Sequence, residues 1–185
     1  MEHHICPWWM GYFLISPFRA IAQNPKKILS PFVRKGMNVL EVGPGMGFFT
    51  IPLARMVGQN GKVHCVDVQE KMLDALKRRA AKKNVLQQID ARLCGETSLA
   101  IDDLKGQIDF ALVFAVVHET PDRKKFLDEI YRSMKPGALL LLAEPTGHET
   151  EEGFGKTLAI AKEIGFEITD RPQIKKSYAT VMRKR

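Results

Sequence analysis

No Cys-x-x-Cys pair occurs in the sequence, and the three cysteines, Cys6, Cys65 and Cys94, are odd in number and widely spaced. That excludes a disulfide framework and points to a reducing, cytoplasmic setting. Long apolar runs are also missing. The longest, Ile5 to Phe18, is shorter than the ~20 residues a bilayer needs, is interrupted by Pro7 and Pro17, and follows an acidic start. Neither a membrane span nor a signal peptide is expected from it. There is no Pro/Gly-rich or Gln-rich tract, which removes the compositional case for disorder. The full pattern Gly-x-x-x-x-Gly-Lys-Ser/Thr does not occur, so a P-loop is excluded. Internal repeats are absent as well.

What is present is a globular composition of 185 residues with 45% hydrophobic side chains, enough for one domain with a full core. The formal charge is +7, which raises the question of a polyanionic partner. Two stretches, 70–83 and 166–185, carry six bases and two acids each. A nucleic-acid binder needs one merged basic groove, and two separated runs argue for solvated basic faces instead.

Residues 1–35 form an N-terminal helical segment unlike the rest, and 36–185 a single α/β domain. Ser16-Pro17 and Asn24-Pro25 each read as an N-cap followed by a proline at the first helical position. Trp8, Trp9, Tyr12 and Phe13 crowd together before them. From Met37 onward strand and helix alternate. Strands are expected at Met37–Val42, Lys62–Val68, Ile89–Cys94, Phe110–Val117 and Ala138–Ala143. Helices are expected at Phe48–Val57, at Gln69–Lys83, after a Thr120-Pro121 cap up to Pro136-Gly137, and at Lys156–Ile164. The closing runs Phe166–Ile168 and Ser177–Met182 leave no room for a crossover helix, so this pair should be antiparallel. The pattern is a Rossmann-like doubly wound α/β sheet with one antiparallel strand near an edge.

Two local signals carry chemistry. Glu41-Val42-Gly43-Pro44-Gly45-Met46-Gly47 places glycines at alternate positions after a strand, where backbone can turn tightly and approach a ligand closely. The spacing is GxGxG, with Phe48 where a dinucleotide fingerprint wants glycine, so a pyrophosphate cradle is disfavoured. Asp67 stands at the tip of the second strand, where a carboxylate can accept both hydroxyls of a ribose. Together they point to an adenosine ligand other than NAD.

These residues, with Cys65-Val66-Asp67-Val68-Gln69-Glu70, Val116-Val117-His118-Glu119, Met134-Lys135-Pro136-Gly137 and Gly165-Phe166, resemble a class I S-adenosylmethionine-dependent methyltransferase of the small prokaryotic, type 11-like kind. The resemblance covers roughly Met37 to Lys184. It implies seven strands in the order 3-2-1-4-5-7-6 with strand 7 antiparallel, S-adenosylmethionine as cofactor and S-adenosylhomocysteine as product. It also implies that Gly43, Gly45 and Gly47 border the methionine half of the cofactor, with Glu41 organising its ammonium group. Asp67 would hold the ribose and Val68 pack on the adenine. Gly95 and Glu96 stand where the family has an adenine-contacting Asp, and Phe114 would line the floor.

His118, just beyond the fourth strand, has the ordinary pKa of a general base; the competing reading is a histidine that caps the strand end and bonds a backbone carbonyl. Glu119 either orients His118 or lies beside the following helix cap. Trp8 and Tyr12 form either a lid whose π-faces meet a sulfonium or a hydrophobic strap. His3, His4 and Cys6 make poor chelation geometry, and no metal is expected. The expected acceptor is a small molecule, handled by a monomer or homodimer without nucleic acid or membrane. Methyl transfer to RNA or protein, and cofactor binding without catalysis, are the alternatives.

Overall fold

The computed structural model of the chain describes residues 23–185; Trp8, Tyr12 and Ser16-Pro17 lie outside them. The chain divides into two compact units, one running to Cys94 and the other spanning Gly95–Arg185. Seven strands make up the sheet, in the order β3-β2-β1-β4-β5-β7-β6.

In the first unit, α1 (Pro25–Leu29) starts where Asn24 caps it, the side chain accepting from the Lys27 amide at 3.2 Å. β1 (Asn38–Val42) and β2 (Lys62–Asp67) pair in parallel, and β2 pairs in parallel with β3 (Ile89–Leu93). Val39, Leu40, Val63, Cys65 and Val66 are all fully buried, as strands covered on both faces must be. Between them run α2 (Thr50–Val57) and α3 (Glu70–Lys82). On α3, Met72, Leu73, Leu76 and Ala80 recur at helical spacing and are buried, while Lys71, Lys77, Arg78 and Lys82 are exposed. Burying each such leucine is worth roughly 1.5–3 kcal/mol, which fixes the helix on the sheet. The first basic run is therefore the outer face of α3.

In the second unit, β4 (Ile108–Phe114) is parallel to β5 (Met134–Pro145), with α4 (Arg123–Ser133) between them in sequence. β5 then pairs antiparallel with β7 (Ser177–Lys184), and β7 antiparallel with β6 (Phe166–Asp170), after α5 (Glu151–Ile164). The antiparallel closing pair is as the strand pattern implied, and the strand order is as the resemblance implied.

Several boundaries differ. β4 ends at Phe114 rather than Val117, because Ala115 turns out of the strand at φ +62° and Val117–Glu119 forms a 3-10 turn. The cap of α4 is Asp122, not Thr120: its carboxylate accepts from the Lys125 amide at 2.9 Å. Pro136-Gly137 lies inside β5 instead of ending α4, which stops at Ser133. α5 begins five residues before Lys156, capped by Thr150, whose hydroxyl accepts from the Gly153 amide at 3.0 Å. Gly153 and Gly155 lower the helix propensity of that first turn and hid it. Among the described residues, no helix is long and apolar enough to cross a membrane.

Candidate active site

Parallel pairing brings the carboxyl end of β1 beside that of β2, and the first candidate constellation follows from it. The Gly43 amide donates to the Val66 carbonyl at 2.9 Å, so the chain leaves β1 already tied to its neighbour. Gly43, Gly45 and Gly47 then adopt φ of +70°, +52° and +87°, a region costly for other residues. Asp67, 8% exposed, closes on this turn. One carboxylate oxygen accepts from the Gly45 amide at 3.2 Å and the other from the Gln69 amide at 2.9 Å. Burial pushes its pKa up, against the amides of Gln69, Gly45 and Val68, which favour the charged form.

A Cβ built on Gly45 would meet nothing within 4 Å, so its open side faces free space. Val68, half-buried, follows Asp67 at the strand tip. Glu41 is 3% exposed on β1, and the Cys65 thiol points to it at 3.9 Å. Burial first, and then the Glu41 charge, push the Cys65 thiol well above its ordinary pKa, so that cysteine is an inert core residue. The Arg79 guanidinium of α3 donates to the Met46 carbonyl and steadies the glycine turn from outside. An open glycine turn, an acid at the adjacent strand tip and a buried acid on the strand before the glycines suit an adenosine linked to an amino acid.

The second constellation lies within the Gly95–Arg185 unit. His118 sits on the 3-10 turn after β4 with its side chain 15% exposed. Its Nδ1 is 2.5 Å from an oxygen of Glu144, a fully buried carboxylate near the end of β5. The other Glu144 oxygen accepts from the Val116 and Val117 amides at 3.0 and 2.8 Å. Glu144 therefore builds the turn and orients the imidazole at once. The carboxylate can only accept at neutral pH, so the hydrogen bond sets Nδ1 as the donor. That leaves Nε2 as the basic nitrogen. The backbone-carbonyl partner considered for His118 is replaced by this carboxylate. Glu119 lies 3.8 Å from Nε2, and His148 stacks on the imidazole with centroids 5.3 Å apart.

Burial works against a charge on His118, but the Glu144 hydrogen bond and charge outweigh it, helped by Glu119 and Glu149, and the imidazole pKa is raised. The sign gives a prediction. A base must be neutral, so turnover should fall as pH drops through a value above the ordinary ~6.5. Stability runs the other way: the stabilisation from the charged imidazole is complete below the unfolded-state value and lost as pH rises through the raised one. Titrating the His118 ring by NMR checks the premise; a midpoint at or below the ordinary histidine value would contradict it.

Of the other residues singled out from sequence, Phe114 is buried at the last position of β4. Gly95 and Glu96 open the tight turn closed by the Gly95–Ser98 bridge, and Glu96 is exposed there. Trp8 and Tyr12 lie outside the described residues. Glu144 was missed. Its one sequence signal is a carboxylate ending the otherwise apolar run Ala138-Leu139-Leu140-Leu141-Leu142-Ala143.

With this geometry in hand, similarity to known proteins gives the class. The pattern of the family described as "Methyltransferase domain" matches residues 39–137. This chain belongs to that family. It is 32% identical over 118 residues to the demethylmenaquinone methyltransferase of Lactococcus lactis, covering 62% of this chain and 44% of that protein. It is 30% identical over 112 residues to the ubiquinone/menaquinone biosynthesis C-methyltransferase of Escherichia fergusonii, covering 60% and 44%. The chain thus spans less than half the length of these curated relatives. The crystal structure of a SAM-dependent methyltransferase from Aquifex aeolicus superposes with a TM-score of 0.83 at 26% identity, covering 96% of this chain and 97% of the other. Family and strand order together are those of the class I S-adenosylmethionine-dependent methyltransferases.

Proposed function

We propose that this chain is an enzyme that transfers a methyl group from S-adenosylmethionine to a small-molecule acceptor in the cytoplasm. The observation that carries the cofactor reading is Asp67 bonded to the Gly45 amide across the mouth of an open glycine turn. Gly43, Gly45 and Gly47 would let the methionine half approach the backbone, and the buried Glu41 would meet its ammonium group. The Asp67 carboxylate, with lone pairs beyond those spent on Gly45 and Gln69, would accept the ribose hydroxyls. Val68 offers an apolar face to the adenine. Bound there, the cofactor supplies an electrophilic methyl carbon on a sulfonium whose leaving group departs neutral.

The protein therefore needs no acid for the leaving group. Its own tasks are to align the acceptor and to take a proton from it. Alignment alone supplies about 7–11 kcal/mol in the best intramolecular cases. His118 Nε2 would accept the proton, and Glu144 would stabilise the imidazolium that results. The demethylmenaquinone and ubiquinone relatives named above favour a small-molecule acceptor over a polymer.

Asp67→Ala should weaken S-adenosylhomocysteine binding by at least about tenfold in calorimetry, equivalent to ~1.4 kcal/mol. An unchanged affinity in a folded variant would remove the ribose assignment. The reaction itself is tested by offering labelled S-adenosylmethionine with small-molecule, RNA and protein pools. Label entering only the small-molecule pool is the expected outcome. Label entering RNA or protein instead would overturn the acceptor class, and no label in any pool would overturn catalysis.

A further inference from the structure

A groove of about 790 Å³ lies within the Gly95–Arg185 unit, between the first half of α5 and the turn joining β6 to β7. Its floor is aromatic: Phe154 and Tyr178 stack with ring centroids 5.8 Å apart and planes 28° from parallel. Its rim carries Arg171, Lys175 and Lys176 against one carboxylate, Glu151. Arg171 and Lys176 are exposed, and neither is ion-paired among the described residues. Elsewhere in the same unit, Lys156 and Arg185 are also exposed but sit 2.7 and 3.7 Å from Glu152 and Glu167. Arg171 and Lys176 therefore place two cations on the rim that no carboxylate pairs among the described residues.

The turn beneath that rim is well tied. The Thr146 amide donates to the Lys176 carbonyl at 3.1 Å, and the Ser177 amide to the Ile174 carbonyl at 3.1 Å. Ile174 is buried beneath the turn. Lys176 holds φ +59°, an uncommon conformation for a residue with a Cβ. Sheet register then connects the groove to the base. Tyr178 is the direct partner of Glu144 across β5 and β7, and directly opposed residues of an antiparallel pair project from one face. Glu144 in turn holds His118. One cross-strand pair thus separates the aromatic floor from the proton-accepting dyad.

We propose that this groove recognises the methyl acceptor, and that the acceptor is a planar molecule carrying an anionic carboxylate or phosphate group. The proposal rests on the methyltransferase reading above. The ring packs on Tyr178 and Phe154, and the anion is drawn to Arg171 and Lys176, where guanidinium and ammonium donors make charge-assisted hydrogen bonds. Holding the acceptor at both ends leaves its reactive group directed along the sheet edge toward His118.

The test uses the full chain with benzoate, phenyl phosphate and neutral benzamide as probes, each titrated by NMR, and S-adenosylhomocysteine titrated by calorimetry in the same samples. Benzoate or phenyl phosphate should bind at least about tenfold more tightly than benzamide, moving the Tyr178 and Phe154 ring signals. Which of the two binds better separates carboxylate from phosphate recognition. The double charge reversal Arg171→Glu with Lys176→Glu should erase the preference while leaving S-adenosylhomocysteine affinity intact. Lys176→Gly, which suits the positive φ and removes the cation with its stem, should reduce the preference without loss of fold. Equal binding of benzoate and benzamide, or a preference untouched by both variants, would overturn the proposal. If S-adenosylhomocysteine binds and the anions do not, only the groove assignment fails. If the anions bind as described and S-adenosylhomocysteine does not, the methyltransferase reading fails and the groove stands as an acid-binding site.

Discussion

Glu144→Gln is expected to leave the protein folded while cutting turnover by roughly two to four orders of magnitude, the range supplied by a positioned general base. The glutamine carbonyl can still accept from the Val116 and Val117 amides, which now bond one Glu144 oxygen at 3.0 and 2.8 Å. The turn that carries His118 is thereby retained. What changes is the other atom. Where a carboxylate oxygen now accepts from His118 Nδ1 at 2.5 Å, an amide NH2 would donate. That donation stabilises the imidazole with its proton on Nε2, the nitrogen that has to be free as a base. Imidazole nitrogen shifts in the variant report the tautomer directly and need no acceptor. Glu144→Ala should behave differently, losing stability as well, because each buried amide left unsatisfied costs about 1–3 kcal/mol. A glutamine variant with an unchanged tautomer would mean that Glu144 serves the turn alone, and full turnover despite the changed tautomer would mean that His118 is not the base.

The same residue shows where sequence reading stops. The order of elements, the antiparallel finish and the glycine turn were legible because each rests on local pattern: apolar runs, helical spacing of Met72, Leu73, Leu76 and Ala80, glycines at alternate positions. The place of Asp67 at the end of β2, beside the glycine turn, was legible because it follows from parallel pairing. Glu144 is 26 residues from His118, and only the pairing of β4 with β5 brings the two together. A strand end that reads Ala-Glu-Pro is equally compatible with an exposed acid turning toward solvent. The misplaced ends of β4, α4 and α5 have a related cause. Ala115 takes a positive φ that alanine does not advertise, Asp122 displaces Thr120 as cap, and Gly153 and Gly155 disguise a helical turn held by Thr150. In each case a tertiary or capping contact overrides the propensity that the sequence displays.

The glycine turn supplies the second large effect, and two substitutions separate its structural task from its binding task. Gly47 has φ +87°, and a Cβ there would stand 2.5 Å from Leu76 Cδ1 and within 3.7 Å of Ile51. Leu76 is fully buried on α3, so the methyl group has to displace packed core. Left-handed backbone costs a residue with a Cβ roughly 1–2 kcal/mol, and overpacking adds about 1–3 kcal/mol. Gly47→Ala should therefore lower stability by roughly 2–5 kcal/mol, read as an earlier midpoint in urea with an unchanged slope. Gly45→Ala carries the backbone strain alone, because nothing lies within 4 Å of its Cβ. Its stability loss should be the smaller one. Yet that open space is where the methionine half of the cofactor would approach, and a methyl group projecting into it would block contact. Gly45→Ala should thus weaken S-adenosylhomocysteine binding by more than about tenfold while remaining folded. Measured at a denaturant-free temperature where both variants are native, the two losses should fall in opposite orders. If Gly45→Ala binds as the parent does, the open side of the glycine turn is not the cofactor's place.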